Sequence, residues 1–470
     1  MLRCTAVQTY DFREPLKRAC ATGLFLLISC GSFAHGATRE VPPKFQRDVL
    51  SAFQKGRYAE VTASLETLPQ GQELSNDLLK AGLLSYLQLG RPEPAFTTYT
   101  RLVPSGQPDQ IPLLRRLAKS FITSRLRDPE EHIRIVASTA LAEVADPTAI
   151  PLFEDSLLDA SVLVRARSAE GLGRAISSQA SKRPVAPSAL KRALMDSASA
   201  VRVAALHALG DVGDPATSEL ISRIARAEDG PVHVFALAAL IRMGRSEALA
   251  ELRDAATLPD PETRMAALGM LGQLKSPAGF SLISQLIYDP DPSVRAFAAG
   301  ALGDYGNPDG AAPLIHALSD EHPRVRSIAA ASLGRLKAQQ AQPMLWQVAK
   351  DPDELVRAGA VEGLLRLGDS EATLIAADLA KHPDPSIRSA AAHALGQARS
   401  KQVLALLDQL RQDRQPQPRL MAARALGRIG GKEAVQLLKK SLQDSDAAVR
   451  IAAAGSLLHA LSDGRSESPG

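Results

Sequence analysis

The side chains best placed to do chemistry in this 470-residue sequence are arginines. They stand at Arg134, Arg165, Arg202, Arg264, Arg295, Arg326, Arg357, Arg388, Arg419 and Arg450, with His233 in the one gap. Successive positions in this file are 31 residues apart, except for a step of 37 between Arg165 and Arg202. Two kinds of chemistry fit such a file. One is a basic stripe for an anionic partner. The other is an internal ladder of ion pairs, in which each Arg reaches an Asp at a neighbouring unit's turn. Asp lies six residues before the Arg in most units (Asp128, Asp159, Asp196, Asp289, Asp320, Asp351, Asp413 and Asp444), which favours the ladder. One exposed pair contributes only about 0–1 kcal/mol, although a network can do better.

Other reactive groups are sparse. The three cysteines, Cys4, Cys20 and Cys30, all lie near the start, so the body holds no thiol for a disulfide framework, a metal site or a nucleophile. Its histidines (His132, His207, His233, His316, His322, His382, His393, His459) include no His-x-x-x-His pair. No metal and no cofactor are expected. Neither a Gly-x-Ser-x-Gly elbow nor a Gly-rich phosphate loop is present, and an enzyme is not expected. The lone tryptophan, Trp346, is a candidate anchor for a partner, with plain core packing as the alternative. A formal charge of +4 is small for this length, and nucleic acid is not an expected partner.

The arginines sit in a repeat that reads as two helices. In one unit Asp291-Pro292 supplies an N-cap and a proline at the first helical position. Val294, Phe297, Ala298, Ala301 and Leu302 then make one apolar face, and Gly303 and Gly306 read as its end. Asn307-Pro308 starts a second helix with Ala311, Leu314, Ile315 and Leu318 inward. Gly171-Leu-Gly173 reads as the same kind of helix end elsewhere. The extra residues in the long step fall around Ser177–Pro187, a lengthened loop. No hairpin of this kind can bury both its faces alone, so stacking must supply the core.

The motif Asp-x-x-x-x-Val-Arg, followed eight residues later by Gly, resembles the HEAT family in its short bacterial form, also seen in phycocyanobilin-lyase-type repeats. The resemblance covers residues 128–461 and implies an all-α superhelical solenoid of about eleven hairpins. It fixes no activity. Ahead of it, residues 41–105 carry Gln54-Lys-Gly56-Arg-Tyr58 and Gln88-Leu-Gly90-Arg, with the two glycines 34 residues apart. That period resembles tetratricopeptide hairpins, about two of them. Residues 106–127 are expected to form a connecting helix and 462–470 a disordered tail.

The first 36 residues read as a targeting segment. Lys17 and Arg18 precede an apolar run too short to span a bilayer. Leu27-Ile-Ser-Cys30 resembles a lipobox, which would make Cys30 a lipidation site and the only route to a membrane. Cleavage near Ala34 by an ordinary signal peptidase is the alternative, and a later translation start would remove the acidic Asp11 and Glu14 from the segment.

The expected function is therefore a non-enzymatic scaffold of the bacterial cell envelope, periplasmic or an outer-membrane lipoprotein, binding protein partners along the solenoid. The alternatives are a bilin lyase-like protein, or a nucleic-acid-binding one if the leader is not an export signal.

Overall fold

The computed structural model describes residues 41–69, 71–179, 185–275, 277–398 and 400–462. The leader with Cys30, part of the lengthened loop, and all of the tail except Ser462 lie outside them. Among the described residues every regular element is a helix or a short 3-10 turn.

A head of five helices comes first: α1 Pro43–Gln54, α2 Tyr58–Glu66, α3 Asn76–Gln88, α4 Pro92–Leu102 and α5 Ile111–Thr123. Gly56 and Gly90 occupy equivalent turns in its two hairpins, both with φ near +70°. The repeats then alternate between two layers. One layer holds α6 Glu131–Val144, α8 Val162–Ser177, α10 Ser199–Val212, α12 Gly230–Arg242, α14 Pro261–Gln273, α16 Pro292–Tyr305, α18 Pro323–Arg335, α20 Glu354–Arg366, α22 Pro385–Leu395, α24 Pro416–Ile429 and α26 Ala447–Ser462. The other holds α7 Ile150–Ser156, α9 Ser188–Ala193, α11 Ser218–Ala227, α13 Ala248–Ala255, α15 Pro277–Gln285, α17 Ala311–Ala317, α19 Gln342–Val348, α21 Ala372–Leu379, α23 Leu404–Leu410 and α25 Gly431–Ser441.

Local chemistry explains these boundaries. Asp291 caps α16 by accepting a bond from Ser293 N–H, and Asp353 and Asp384 do the same for α20 and α22. Asp146, Asp214 and Asn307 cap a 3-10 turn that leads into the outer helix. Gly306 ends α16 at φ +77°, in the left-handed region that favours glycine.

Gly303 has a different task from the helix end expected of it, because it lies inside α16. So do Gly171 and Gly173 inside α8. A Cβ on Gly173 would stand 2.5 Å from the Ala208 Cβ, and one on Gly303 2.7 Å from the Ser332 Cβ. Gly334, Gly396 and Gly427 meet the next helix of their layer just as closely. The glycine eight residues after Arg165, Arg202, Arg295, Arg326, Arg388 and Arg419 therefore lets neighbouring backbones approach. Phe297 is also displaced from its expected core position. It is 41% exposed, while Val294, Ala298 and Leu302 are buried.

The helices of the first layer pack on one another in sequence from α6 to α26, and α26 packs back against α6. The solenoid is thus closed into a ring of eleven inner helices, with the other layer outside. Gly455 of α26 lies against Ala140 of α6 at 3.4 Å from its would-be Cβ. The last inner helix has no outer partner after it among the described residues, and α5 fills that place. Rather than merely connecting head to body, α5 packs along α26 and buries Leu114, Leu117, Ala118 and Phe121. Arg115 Nη2 donates to the Leu461 carbonyl, 346 residues away in sequence. The eleventh hairpin is therefore made from both ends of the body.

Polar contacts fasten this seam. Asp109 accepts bonds from Lys439 Nζ at 2.7 Å and Gln436 Nε2 at 3.2 Å, and the Tyr99 hydroxyl donates to it at 2.8 Å. Burial and that bond push the Tyr99 hydroxyl well above its ordinary pKa.

Two outcomes test this packing. Gly427→Ala should destabilise the protein by about 1–3 kcal/mol through overpacking, whereas Gly300→Ala should be neutral or stabilising, since its Cβ would meet only Ile328 Cγ2 at 3.7 Å. Thermal melts followed by circular dichroism separate the two. In a chain whose body is otherwise free of thiols, Ala140→Cys with Gly455→Cys should form a disulfide on oxidation, because the Cβ separation is near the bonded range. A faster-migrating band on non-reducing gels reports it, and an open solenoid would give none.

Candidate binding surface on the inner wall

The ladder arginines stand near the N-terminal ends of the inner helices. Arg134 Nε and Nη2 bond the two oxygens of Asp159 at 2.8 and 3.1 Å, while its Nη1 donates to the Asp128 carbonyl at 2.9 Å. Arg165–Asp196, Arg295–Asp320, Arg326–Asp351, Arg388–Asp413 and Arg419–Asp444 repeat this fork. Arg264 reaches Asp289. Arg202 takes Glu228 instead, and His233 bonds the Ala225 carbonyl. Arg357 pairs within its own helix with Glu354, because His382 occupies the position of the next Asp. Among the described residues no repeat follows Arg450, and its Nη2 lies 3.6 Å from Glu93 of the head. Glu93 also accepts from Arg125, which pairs with Asp128, so the ladder runs through the seam and returns to its start.

These side chains are occupied with one another, so the ladder is not a free basic stripe. Trp346 is half-buried on outer helix α19, and its indole N–H donates to Asp369 at 2.8 Å. Cys30 lies outside the described residues. Among those residues no group of three His, Cys, Asp or Glu is placed to hold a metal ion.

The open chemistry faces the interior. Nine residues after each ladder position the inner helices, or the turn just past α22 at Gln397, present Glu143, Arg174, Asp211, Arg242, Gln273, Asp304, Arg335, Arg366, Gln397, Arg428 and His459. Contacts that skip a helix show that this face is concave. His207 on α10 touches Gln273 beyond α12 at 3.2 Å, and Arg424 on α24 approaches Glu143 beyond α26 at 3.7 Å. Glu362, His393 and Arg428 form a chain across three helices, with His393 Nε2 3.5 Å from Glu362 and its Nδ1 3.3 Å from Arg428. Burial raises the Glu362 carboxyl, but His393 and Arg366 outweigh it and hold it below the usual range. Arg428 is accessible to water yet hemmed in by protein, and that loss of solvent lowers its pKa, with Arg366 and Arg424 adding to the effect.

Periodicity identifies the ladder, whereas the inner-wall set does not stand out in the sequence. Its signal is a position that is polar in every unit, at helix C-termini where Arg alone would pass as a complement to the helix dipole.

The ladder makes stability depend on pH. Burial raises Asp320, Asp351 and Asp413, but the arginine forks and backbone N–H bonds outweigh it and leave all three below the usual carboxylate value; Asp196 is lowered chiefly by Arg165. Carboxylates depressed on folding contribute stability that is complete above their unfolded pKa, about 3.9, and lost as pH falls below it. The melting temperature should be flat from about pH 7 to 5 and drop below about pH 4. Asp413→Asn should start lower and show a shallower acid slope, read by calorimetry across that range.

A search of curated proteins finds no match. Solved structures with similar folds include the complex of CpcE and CpcF of phycocyanin lyase from a Nostoc species, at 18% identity, TM-score 0.34, and 58% of this chain against 95% of that one. Human deoxyhypusine hydroxylase matches at 18% identity and TM-score 0.25, covering 68% of this chain and 99% of its own. Kap95p, from a structure with RanGDP, matches at 15% identity and TM-score 0.34, over 84% and 58%. Scores of this size carry no functional argument. The HEAT-repeat profile matches residues 217–282, 279–364, 342–413 and 403–466, a continuous run over more than half of the sequence. With its repeated hairpins, its arginine ladder and this match, the chain belongs to the HEAT-repeat family.

Proposed function

We propose that this protein is a non-enzymatic interaction scaffold of the bacterial cell envelope that holds a protein partner against the inner wall of its ring. The observation that carries this reading is the wall itself. Eleven repeats each place a polar side chain at the same register position, and the ladder and the glycine contacts fix their spacing in advance. A pre-formed surface avoids much of the ordering cost of binding. Exposed apolar groups such as Phe297 stand on the same wall beside the charges, a mixture that suits a protein surface. The envelope address rests on Lys17, Arg18, the apolar run and Cys30.

A photo-crosslinking residue at Gln273 or Gln397 should capture a defined protein in cells, and one at the exposed outer residue Leu374 should not. Capture only from Leu374 would place the partner on the outer layer and overturn the reading. Labelled fatty acid should enter the wild type and not Cys30→Ser. A cytoplasmic, unlabelled protein would refute the address.

A further inference from the structure

A pocket at the seam exists because the ring is closed, since its lining comes from both sides of the α6–α26 junction. Its volume is about 400 Å³, in the range of small-ligand sites. Glu143 and Arg174 come from α6 and α8, and Arg424, Arg428 and His459 from α24 and α26. Gly427, Gly455 and Ser456 keep its floor low, and the long cationic side chains rise around it.

The charges in this pocket do not balance. Three guanidiniums, Arg174, Arg424 and Arg428, face one carboxylate, Glu143, leaving two positive charges over. The one Arg–Glu contact, Arg424 to Glu143, is long at 3.7 Å. Arg174 and Arg428 have no carboxylate within ion-pair distance among the described residues; Arg428 meets only the His393 ring at 3.3 Å. Elsewhere on the wall the same position is neutralised, since Arg242 pairs with Asp211 at 3.0 Å, Arg335 with Asp304 at 3.1 Å and Arg366 with Glu362 at 3.1 Å. The seam is therefore where the inner wall accumulates guanidiniums without acids to meet them. Guanidinium forks match the paired oxygens of phosphates and carboxylates.

We propose that the seam pocket binds a compact oxyanion of about two charges, a phosphate monoester or a dicarboxylate, with Arg174 and Arg428 as its principal donors. The site goes beyond the scaffold reading and needs no protein partner. It ties ligand occupancy to closure, because the two donors reach the pocket from opposite ends of the ring body.

Calorimetric titration of the purified full chain at constant ionic strength tests it, with methyl phosphate and succinate as probes and chloride as the control. Saturable binding of either probe at one site per chain is expected, and the tighter of the two assigns the anion. Losing a charged hydrogen bond should weaken that binding about tenfold or more in Arg428→Gln and in Arg174→Gln. Arg242→Gln, on the same wall but away from the pocket, should bind as the wild type does. No saturable binding of either probe would overturn the proposal, as would equal weakening in Arg242→Gln. Should Arg428→Gln fail to fold, Arg174→Gln decides alone, since that side chain is exposed. Because the titration contains no partner, its failure leaves the crosslinking result untouched, and the reverse also holds.

Discussion

Six of the ladder arginines, Arg295 among them, bind three groups at once: the two oxygens of the next repeat's aspartate and a backbone carbonyl at the entrance to the arginine's own helix. The aspartate is fixed in turn, because it also accepts a backbone N–H two residues on, as Asp320 does from His322. One residue pair thus joins the turn of one hairpin to the first helix of the one before it. With side chains only about a tenth exposed, such pairs return little net energy over an apolar substitute, but losing one partner strands a charge. Their effect is to fix where each repeat sits on its neighbour, and with it the angle gained per repeat.

That angle decides whether eleven inner helices spiral or meet. The close contacts of glycines with alanine, serine or glycine on the next inner helix set the inner spacing. Where the ladder departs from pattern, the structure substitutes locally. Glu228 serves for Asp at Arg202, Glu354 serves at Arg357, and Glu93 of the head serves at Arg450. The last substitution matters most, since it makes the head part of the ring rather than an appendage. Solenoids ordinarily shield their end repeats with polar caps. Here α26 and α6 cover each other and α5 covers the remaining face of α26.

Much of this was legible in the sequence. The register of Arg134 to Arg450, the Asp-Pro and Asn-Pro starts, and the two hairpins around Gly56 and Gly90 all follow from local chemistry that each unit repeats. Closure was not legible, because an open spiral and a ring share every local contact and differ only in a curvature summed over the whole chain. For the same reason α5 reads as a connector: nothing near Ile111–Thr123 announces a partner in α26. The role of Gly303 and Gly173 is hidden because a glycine near a helix end and a glycine at a close helix crossing look alike in sequence. The inner-wall position was hidden in plain view, since its polarity signifies an interior only once the ring is known to close.

Completing one hairpin from both ends of the body also fixes the order of events during folding. Inner helices α6 to α24 can stack as each is made, through contacts between neighbours. The apolar face of α5 cannot be covered until α26 arrives, with Arg115 and Leu461 346 residues apart. Joining such distant segments is slow, and surface left open meanwhile is prone to aggregation or capture. An unfinished chain of this protein therefore carries an unsealed edge, and completion of α26 is the event that closes a growing stack into a ring.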